Sequence, residues 1–186
     1  RGVGKSLLCA MITKGYSSVW EYTLTVGVDY MIRNYPEYDT KLCVWDFAGD
    51  ERFEQLTYSY LETVSLIIFM YDIHDEVSVD RLKLLYSTYS EKGWEGNVII
   101  VGNSIKAGTN AGDTSATKDV KSFIQLMHQP VQHLVIDCSV KEDVKRVTKA
   151  ILVEFLIDTD RAPKLNDVNN RLPTYCYDIP SVCSLI

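Results

Sequence analysis

No hydrophobic run in this sequence reaches the length of a membrane span: the longest, Leu66 to Tyr71, is interrupted within about six residues, a strand's length. Paired cysteines are missing as well. Cys9, Cys43, Cys138, Cys176 and Cys183 stand singly without C-x-x-C spacing, which argues against a zinc ribbon or a disulfide framework and reads as reduced thiols of a cytosolic chain. Positive charge is not in excess: 19 Lys+Arg against 25 Asp+Glu give a net charge of -6, so no nucleic-acid partner is expected. Histidine is scarce, and His74, His128 and His133 show no ligand spacing; they are expected at the surface or at helix ends. Internal repeats and a signal-peptide pattern are also absent. The chain opens at Arg1, without an initiator Met and inside a glycine motif, and is therefore expected to lack its natural N-terminus.

What is present is an ordinary globular composition, with 46 % apolar and 24 % charged residues among 186, enough for one domain with a substantial core. Strand-length apolar runs at Val28–Ile32, Leu42–Trp45, Leu66–Tyr71, Val98–Val101 and Leu134–Cys138 alternate with stretches of helical period. That alternation predicts α/β architecture with a mostly parallel sheet. The clearest helix sets Val144, Val147, Ala150, Ile151 and Phe155 on one stripe and leaves Lys145, Arg146 and Lys149 to water. Others are predicted from Ser6 to near Lys14, Ser78 to near Lys92 and Thr117 to near Met127. After Thr159 the periodicity fades and Pro163, Pro173 and Pro180 enter, so residues 1–158 read as the domain and 159–186 as a flexible tail.

Gly2-Val3-Gly4-Lys5-Ser6, followed by Leu7-Leu8-Cys9, matches the second half of a G-x-x-x-x-G-K-[ST] loop that opens a helix. Glycines let backbone N–H groups crowd around phosphate, a helix N-terminus adds partial positive charge, Lys5 can reach outer phosphates and the Ser6 hydroxyl can ligate Mg²⁺. Alone, the same residues also describe a Gly-rich turn with a Ser at a helix start. Downstream, Trp45-Asp46-Phe47-Ala48-Gly49 places a carboxylate at the carboxyl end of a predicted strand, where open α/β sheets bind ligands. Asp46 can hold Mg²⁺ through water and the Gly49 N–H can meet a γ-phosphate, although a polar turn after a core strand has the same residues. Thr25, in Thr25-Val26-Gly27-Val28-Asp29-Tyr30, offers a second hydroxyl to the metal on a segment that a γ-phosphate could order.

Taken in order, GVGKS, TVGVDY, KLCVWDFAGDERF, YDI, VGN and CSVKE resemble a small GTPase of the Ras superfamily, and TVGVDY and WDFAGDERF are most similar to Rab proteins. The resemblance runs from Arg1 to about Asp158. It implies a P-loop small GTPase fold: a mostly parallel six-stranded sheet flanked by helices, whose first strand, central in the sheet, would precede Arg1. Its loss is expected to leave two neighbouring strands with unpaired edges. The resemblance also implies GTP or GDP and Mg²⁺ as ligands, with Gly2, Val3, Gly4, Lys5, Ser6, Leu7, Thr25 and Gly49 around the phosphates, and Asn103, Ser139, Val140 and Lys141 around the base. Ser6, Thr25 and Asp46 would serve the metal, and effectors and exchange factors would meet the two switch segments.

Two positions depart from that pattern. The family carries Gln after the second switch glycine, to orient the attacking water, and this chain has Asp50. An ionised carboxylate only accepts hydrogen bonds and adds negative charge beside an anionic phosphate, so Asp50, with Lys5 a candidate catalytic residue, is expected to hydrolyse GTP slowly. The guanine loop, N-K-x-D in the family, reads Asn103-Ser104-Ile105-Lys106. Lys106 offers donors where guanine N1–H and its amine need an acceptor, which is expected to relax base specificity. In the third base loop Ser139-Val140-Lys141 replaces S-A-K, and the backbone N–H of Val140 is expected to meet guanine O6. One extra residue separates Ser6 from Thr25, which leaves Tyr16 or a neighbour to cover the base edge. Trp20, Trp45 and Trp94 are read as packing residues, with Trp45 also a possible partner-facing aromatic.

Cys183-Ser184-Leu185-Ile186 has the form of a C-a-a-X ending, which points to prenylation of Cys183, geranylgeranyl in preference to farnesyl, and to a prenyl-binding carrier. Many Rab proteins end in paired cysteines instead. A second signal is usually needed for stable attachment, and Cys176 is the candidate for acylation because the tail is not polybasic. The expected location is the cytoplasmic face of an intracellular or plasma membrane, exchanging with cytosol. The leading functional expectation is a Rab-like switch in vesicle traffic; the alternatives are a pseudo-GTPase acting through its partner surface and, less favoured, a P-loop hydrolase or kinase for another base.

Overall fold

The run Leu66–Tyr71 is apolar at every position because both of its faces are covered. Leu66, Ile68 and Met70 point into one core, and Ile67, Phe69 and Tyr71 into another on the opposite face. In the computed structural model, residues 2–15, 23–36, 40–104, 113–127, 129–158 and 181–185 are described. In chain order they form α1 (Lys5–Thr13), β1 (Val28–Tyr35), β2 (Thr40–Phe47), α2 (Glu54–Tyr60), β3 (Leu66–Asp72), α3 (Glu76–Glu91), β4 (Asn97–Asn103), α4 (Ser115–Ile124), β5 (Gln132–Ile136), α5 (Lys141–Asp158) and β6 (Ser181–Leu185). All the predicted strands and helices form, with their ends shifted by a few residues. Among the described residues, no helix is long and apolar enough to cross a membrane.

One core lies beneath α1 and α5, whose stripe of Val144, Val147 and Ile151 is fully buried. The other lies beneath α3 and α4, through Val79, Leu82, Ala116 and Val120. Capping sets where these helices begin: Asp75 accepts from the Val77 N–H at 3.1 Å, and Thr114 from the Thr117 N–H at 3.1 Å. Helix α2 was not predicted, since seven residues with one fully buried position, Thr57, carry little periodic signal.

The sheet has six strands in the order β1-β2-β6-β3-β4-β5, with β1 antiparallel to β2 and every other pairing parallel. This corrects two expectations. The end of the tail is a strand rather than flexible chain, and the central gap expected between β2 and β3 is filled. Strand β6 runs parallel to both neighbours, from Leu42 against Ser181 to Asp46 against Leu185 on one side, and from Leu66 against Cys183 to Ile68 against Leu185 on the other. The physical reason is the hydrogen-bonding demand of two central strands, whose facing rows of N–H and C=O groups a single inserted strand satisfies together. Tyr16, Trp20, Lys106, His128 and Cys176 lie outside the described residues.

Histidine placement is also corrected in one case. His133 sits inside β5 and is half-buried, with its Nε2 2.9 Å from the Tyr71 hydroxyl and the two rings stacked. His74 lies in the turn before α3, where its N–H donates to Asp72. Trp94 packs at the edge of the second core, as expected of a packing residue.

Candidate functional site

Strands β2, β3, β4, β5 and β6 are parallel, so their carboxyl ends share one edge of the sheet, and a cavity of about 570 Å³ opens there. Its floor is the turn Gly2-Val3-Gly4 leading into α1, where Lys5, Ser6 and Leu7 line the wall. Gly4 has φ +97°, and a Cβ there would fall 2.4 Å from the Asn103 amide nitrogen, so only glycine fits. The first N–H groups of α1 have no intrahelical partners, which makes this end of the helix a favourable place for an anion.

Beside that turn, the Ser6 hydroxyl lies 2.8 Å from the Thr25 hydroxyl, which donates to Asp46 Oδ2 at 3.2 Å. Asp46 is only 1 % exposed and its Oδ1 has no hydrogen-bond partner among the described residues. Burial raises the Asp46 pKa, opposed by hydrogen bonds from Ser6 and Thr25 and by the charge of Lys5. Lys5 is buried too, and desolvation lowers its pKa against the pull of Asp46. Two hydroxyls and a carboxylate with an unsatisfied oxygen form a hard-oxygen set that fits Mg²⁺.

The loop after β2 forms the next wall through Gly49 and Asp50. Asp50 starts a short 3-10 turn over Glu51–Phe53, and one of its oxygens accepts from the backbone N–H of Arg52 at 3.1 Å. The Arg52 guanidinium then grips both carboxylate oxygens at 3.0 Å each. Sequence reasoning named Asp50 and missed Arg52, although the two-residue spacing at a turn was the available signal.

At the far end of the cavity Asn103 ties two loops together. Its amide donates to the Val3 carbonyl at 3.0 Å and its oxygen accepts from the Cys138 N–H at 3.1 Å, with the side chain 3 % exposed. Ser104 is buried beside it. The third base loop departs from expectation, because the Val140 N–H donates to the Asp137 carbonyl at 2.9 Å and is engaged within the protein. The Ser139 N–H and hydroxyl both donate to Asp137 Oδ1, at 2.8 and 2.6 Å. Asp137 therefore closes this loop on itself by a carboxylate turn, a role that the sequence reading did not assign to it. Ser139 lines the cavity; Val140 and Lys141, the first residue of α5, are not among its lining residues.

Burial, with Asp137 and Asp143 adding to it, pushes the Cys138 thiol up to about 12. As pH rises above the ordinary thiol value of 9.0, the unfolded chain loses a proton that the folded chain keeps, so stability falls, by at most about 1.4 kcal/mol per pH unit from this group. Urea midpoints at pH 8 and pH 10 check this, and native Cys138 should resist iodoacetamide until the protein unfolds.

Outside the cavity, Tyr30, Trp45 and Tyr60 form a continuous aromatic group, with ring centroids 4.4 Å apart for Tyr30–Trp45 and 4.7 Å for Trp45–Tyr60. Tyr30 is 43 % exposed, and Leu24, Val26 and Ile32 are exposed nearby in sequence.

Against this geometry the kinship is clear. Residues 1–156 match the family model described as "Ras family". The GTP-binding protein YPTM2 of Zea mays is 34 % identical over 132 residues, covering 69 % of this chain and 64 % of the relative. Ras-related protein RABD2a of Arabidopsis thaliana is 38 % identical over 105 residues, covering 55 % and 51 %. GTP-binding protein ypt1 of Schizosaccharomyces pombe is 40 % identical over 106 residues, covering 55 % and 51 %. The chain thus spans between half and two thirds of the length of these curated relatives. Both the family model and the Rab and Ypt relatives lead to one conclusion: this chain belongs to the Ras family and is Rab-like.

Proposed function

We propose that this chain is a Rab-like, guanine-nucleotide-binding switch of vesicle or membrane traffic, with slow hydrolysis and relaxed base specificity. The observation that carries the reading is the Ser6–Thr25–Asp46 cluster, with its unsatisfied Asp46 oxygen, set against Lys5 and the N-terminus of α1. Ser6, Thr25 and, through water, Asp46 would hold Mg²⁺, which when bound neutralises phosphate charge. Lys5 and the backbone of Gly2 to Leu7 bind the phosphates of GTP or GDP. Thr25 and Gly49 stand on the two segments that a γ-phosphate would draw together, and that is how nucleotide state would reach a partner.

Base specificity rests on the other end of the cavity. Asn103 gives one amide proton to Val3 and accepts from Cys138, and the N–H groups of Ser139 and Val140 are turned onto Asp137, so among the described residues the third loop's donors are withdrawn from a guanine edge. With Lys106 at the position of the missing acceptor, xanthine should gain on guanine. Competition between GTP, XTP and ATP for the protein in Mg²⁺ tests the reading. Binding of a nucleoside triphosphate with little preference for GTP over XTP is expected, and Lys106→Asp should shift the preference toward GTP about tenfold or more. A strong GTP preference that Lys106→Asp leaves unchanged would assign the acceptor role to another residue. Failure to bind any nucleotide would favour a second reading, a binding module that no longer cycles, for which the engaged Val140 N–H is the specific support.

Effectors and exchange factors would meet the two switch segments and the neighbouring aromatic group of Tyr30, Trp45 and Tyr60, which packs β1 and β2 against α2. Membrane attachment would come from prenylation of Cys183, with a carrier for exchange with cytosol. Prenylation of a C-a-a-X cysteine is followed by proteolytic removal of the three residues after it. Ser184 and Leu185 could not then remain in β6, so the lipid-anchored form has to withdraw this strand. Cys183→Ser is expected to move the protein from membranes to the soluble fraction, read by fractionation; membrane retention of that variant would remove the anchor.

A further inference from the structure

Asp50 puts a carboxylate where the proposed γ-phosphate side of the cavity is formed, and an exposed anion there would repel a triphosphate more than a diphosphate. The structure holds that carboxylate in an unusual way for a cavity wall. Both of its oxygens are taken by the guanidinium of Arg52, through Nε and Nη2 at 3.0 Å each, and one of them also accepts the Arg52 backbone N–H at 3.1 Å. The side chain of Asp50 is 18 % exposed and that of Arg52 is 78 % exposed, and both residues line the cavity. The fork is bidentate and planar, so it fixes the direction of the carboxylate as well as cancelling its charge. Nearby, Arg81 reaches Glu51 and Glu54, and the buried Lys5 faces Asp46, while the guanidinium of Arg52 forks the Asp50 carboxylate.

We infer that Arg52 is a positioning residue that sets discrimination between GTP and GDP: by neutralising and turning aside Asp50, it lets a triphosphate be held at a site whose own carboxylate would otherwise reject it. The inference rests on the nucleotide-binding reading above and adds to it a residue and a quantity, the ratio of the two affinities. Without Arg52, the Asp50 charge would fall more heavily on the nucleotide with the extra phosphate. A general loss of fold would lower both affinities alike and leave the ratio where it was.

The test is a double-mutant cycle on the full chain, with fluorescent GDP and a fluorescent non-hydrolysable GTP analogue, both in Mg²⁺. Arg52→Ala is expected to lower the GTP-to-GDP affinity ratio about tenfold, an effect that added salt should reduce. Arg52→Lys should lie between, because a point charge neutralises without forking. Combining Arg52→Ala with Asp50→Asn should return the ratio to within about twofold of Asp50→Asn alone, since no carboxylate then remains to be neutralised. An unchanged ratio in Arg52→Ala overturns the inference. So does a lowered ratio that persists in the Asp50→Asn background, which would mean that Arg52 meets the phosphate directly. Failure of the unaltered chain to bind either nucleotide would instead overturn the nucleotide reading, and this inference with it.

Discussion

Asn103→Ala should lower the stability of this protein by about 2 to 6 kcal/mol, because it strips partners from two buried backbone groups, the Val3 carbonyl and the Cys138 N–H, at roughly 1 to 3 kcal/mol each. For a domain of this size that is a fall of roughly 5 to 20 °C in thermal midpoint. Nucleotide affinity should fall with it, since Asn103 is the tie that holds the phosphate turn against the base loop. Asn103→Asp is the informative companion: it keeps an acceptor for Cys138 but cannot donate to Val3, so it should recover only part of the loss. Thermal denaturation followed by circular dichroism decides the matter. A midpoint shift under about 2 °C for Asn103→Ala would mean that the two loops are held by other contacts.

The other large effect belongs to the reaction itself. Asp50→Gln should raise single-turnover GTP hydrolysis by an order of magnitude or more, equivalent to about 1.4 kcal/mol of barrier per decade. A Gln amide donates and accepts, so it can orient a water that a carboxylate held in the Arg52 fork cannot. The same substitution also releases the guanidinium, and for that reason the rate should be read with GTP saturating. An unchanged rate would place the bottleneck in the first switch segment or in the seating of the base.

The sequence was legible where chemistry repeats or where a pattern is long. The buried strands β3 and β4 and the stripe of α5 announced themselves by unbroken or periodic apolar residues. Lys5, Ser6, Thr25, Gly49, Asp50 and Asn103 were named from motifs, and the fold brings them to one cavity. What could not be read depends on geometry across the chain. The conversion of Asp137 from a loop residue into the acceptor that closes the base loop needed the turn itself. The half-buried His133 looked like a surface residue because its partner, Tyr71, comes from a strand far away in sequence. Strand β6, a short run broken by Ser181 and Ser184, carries no continuous apolar signal, and its place in the sheet is set by the two strands waiting for it.

That placement has a consequence for how this chain folds. In chain order β6 follows every other strand, yet it stands third in the sheet, between partners more than a hundred residues upstream. Among the described strands β1 pairs with β2, and β3 with β4 and β5, as two half-sheets that β6 joins. Closure of so distant a pairing makes for slow folding, and the interval exposes two strand edges to other chains. Refolding of this chain should thus have the docking of β6 as its slow step, with aggregation concentrated before it.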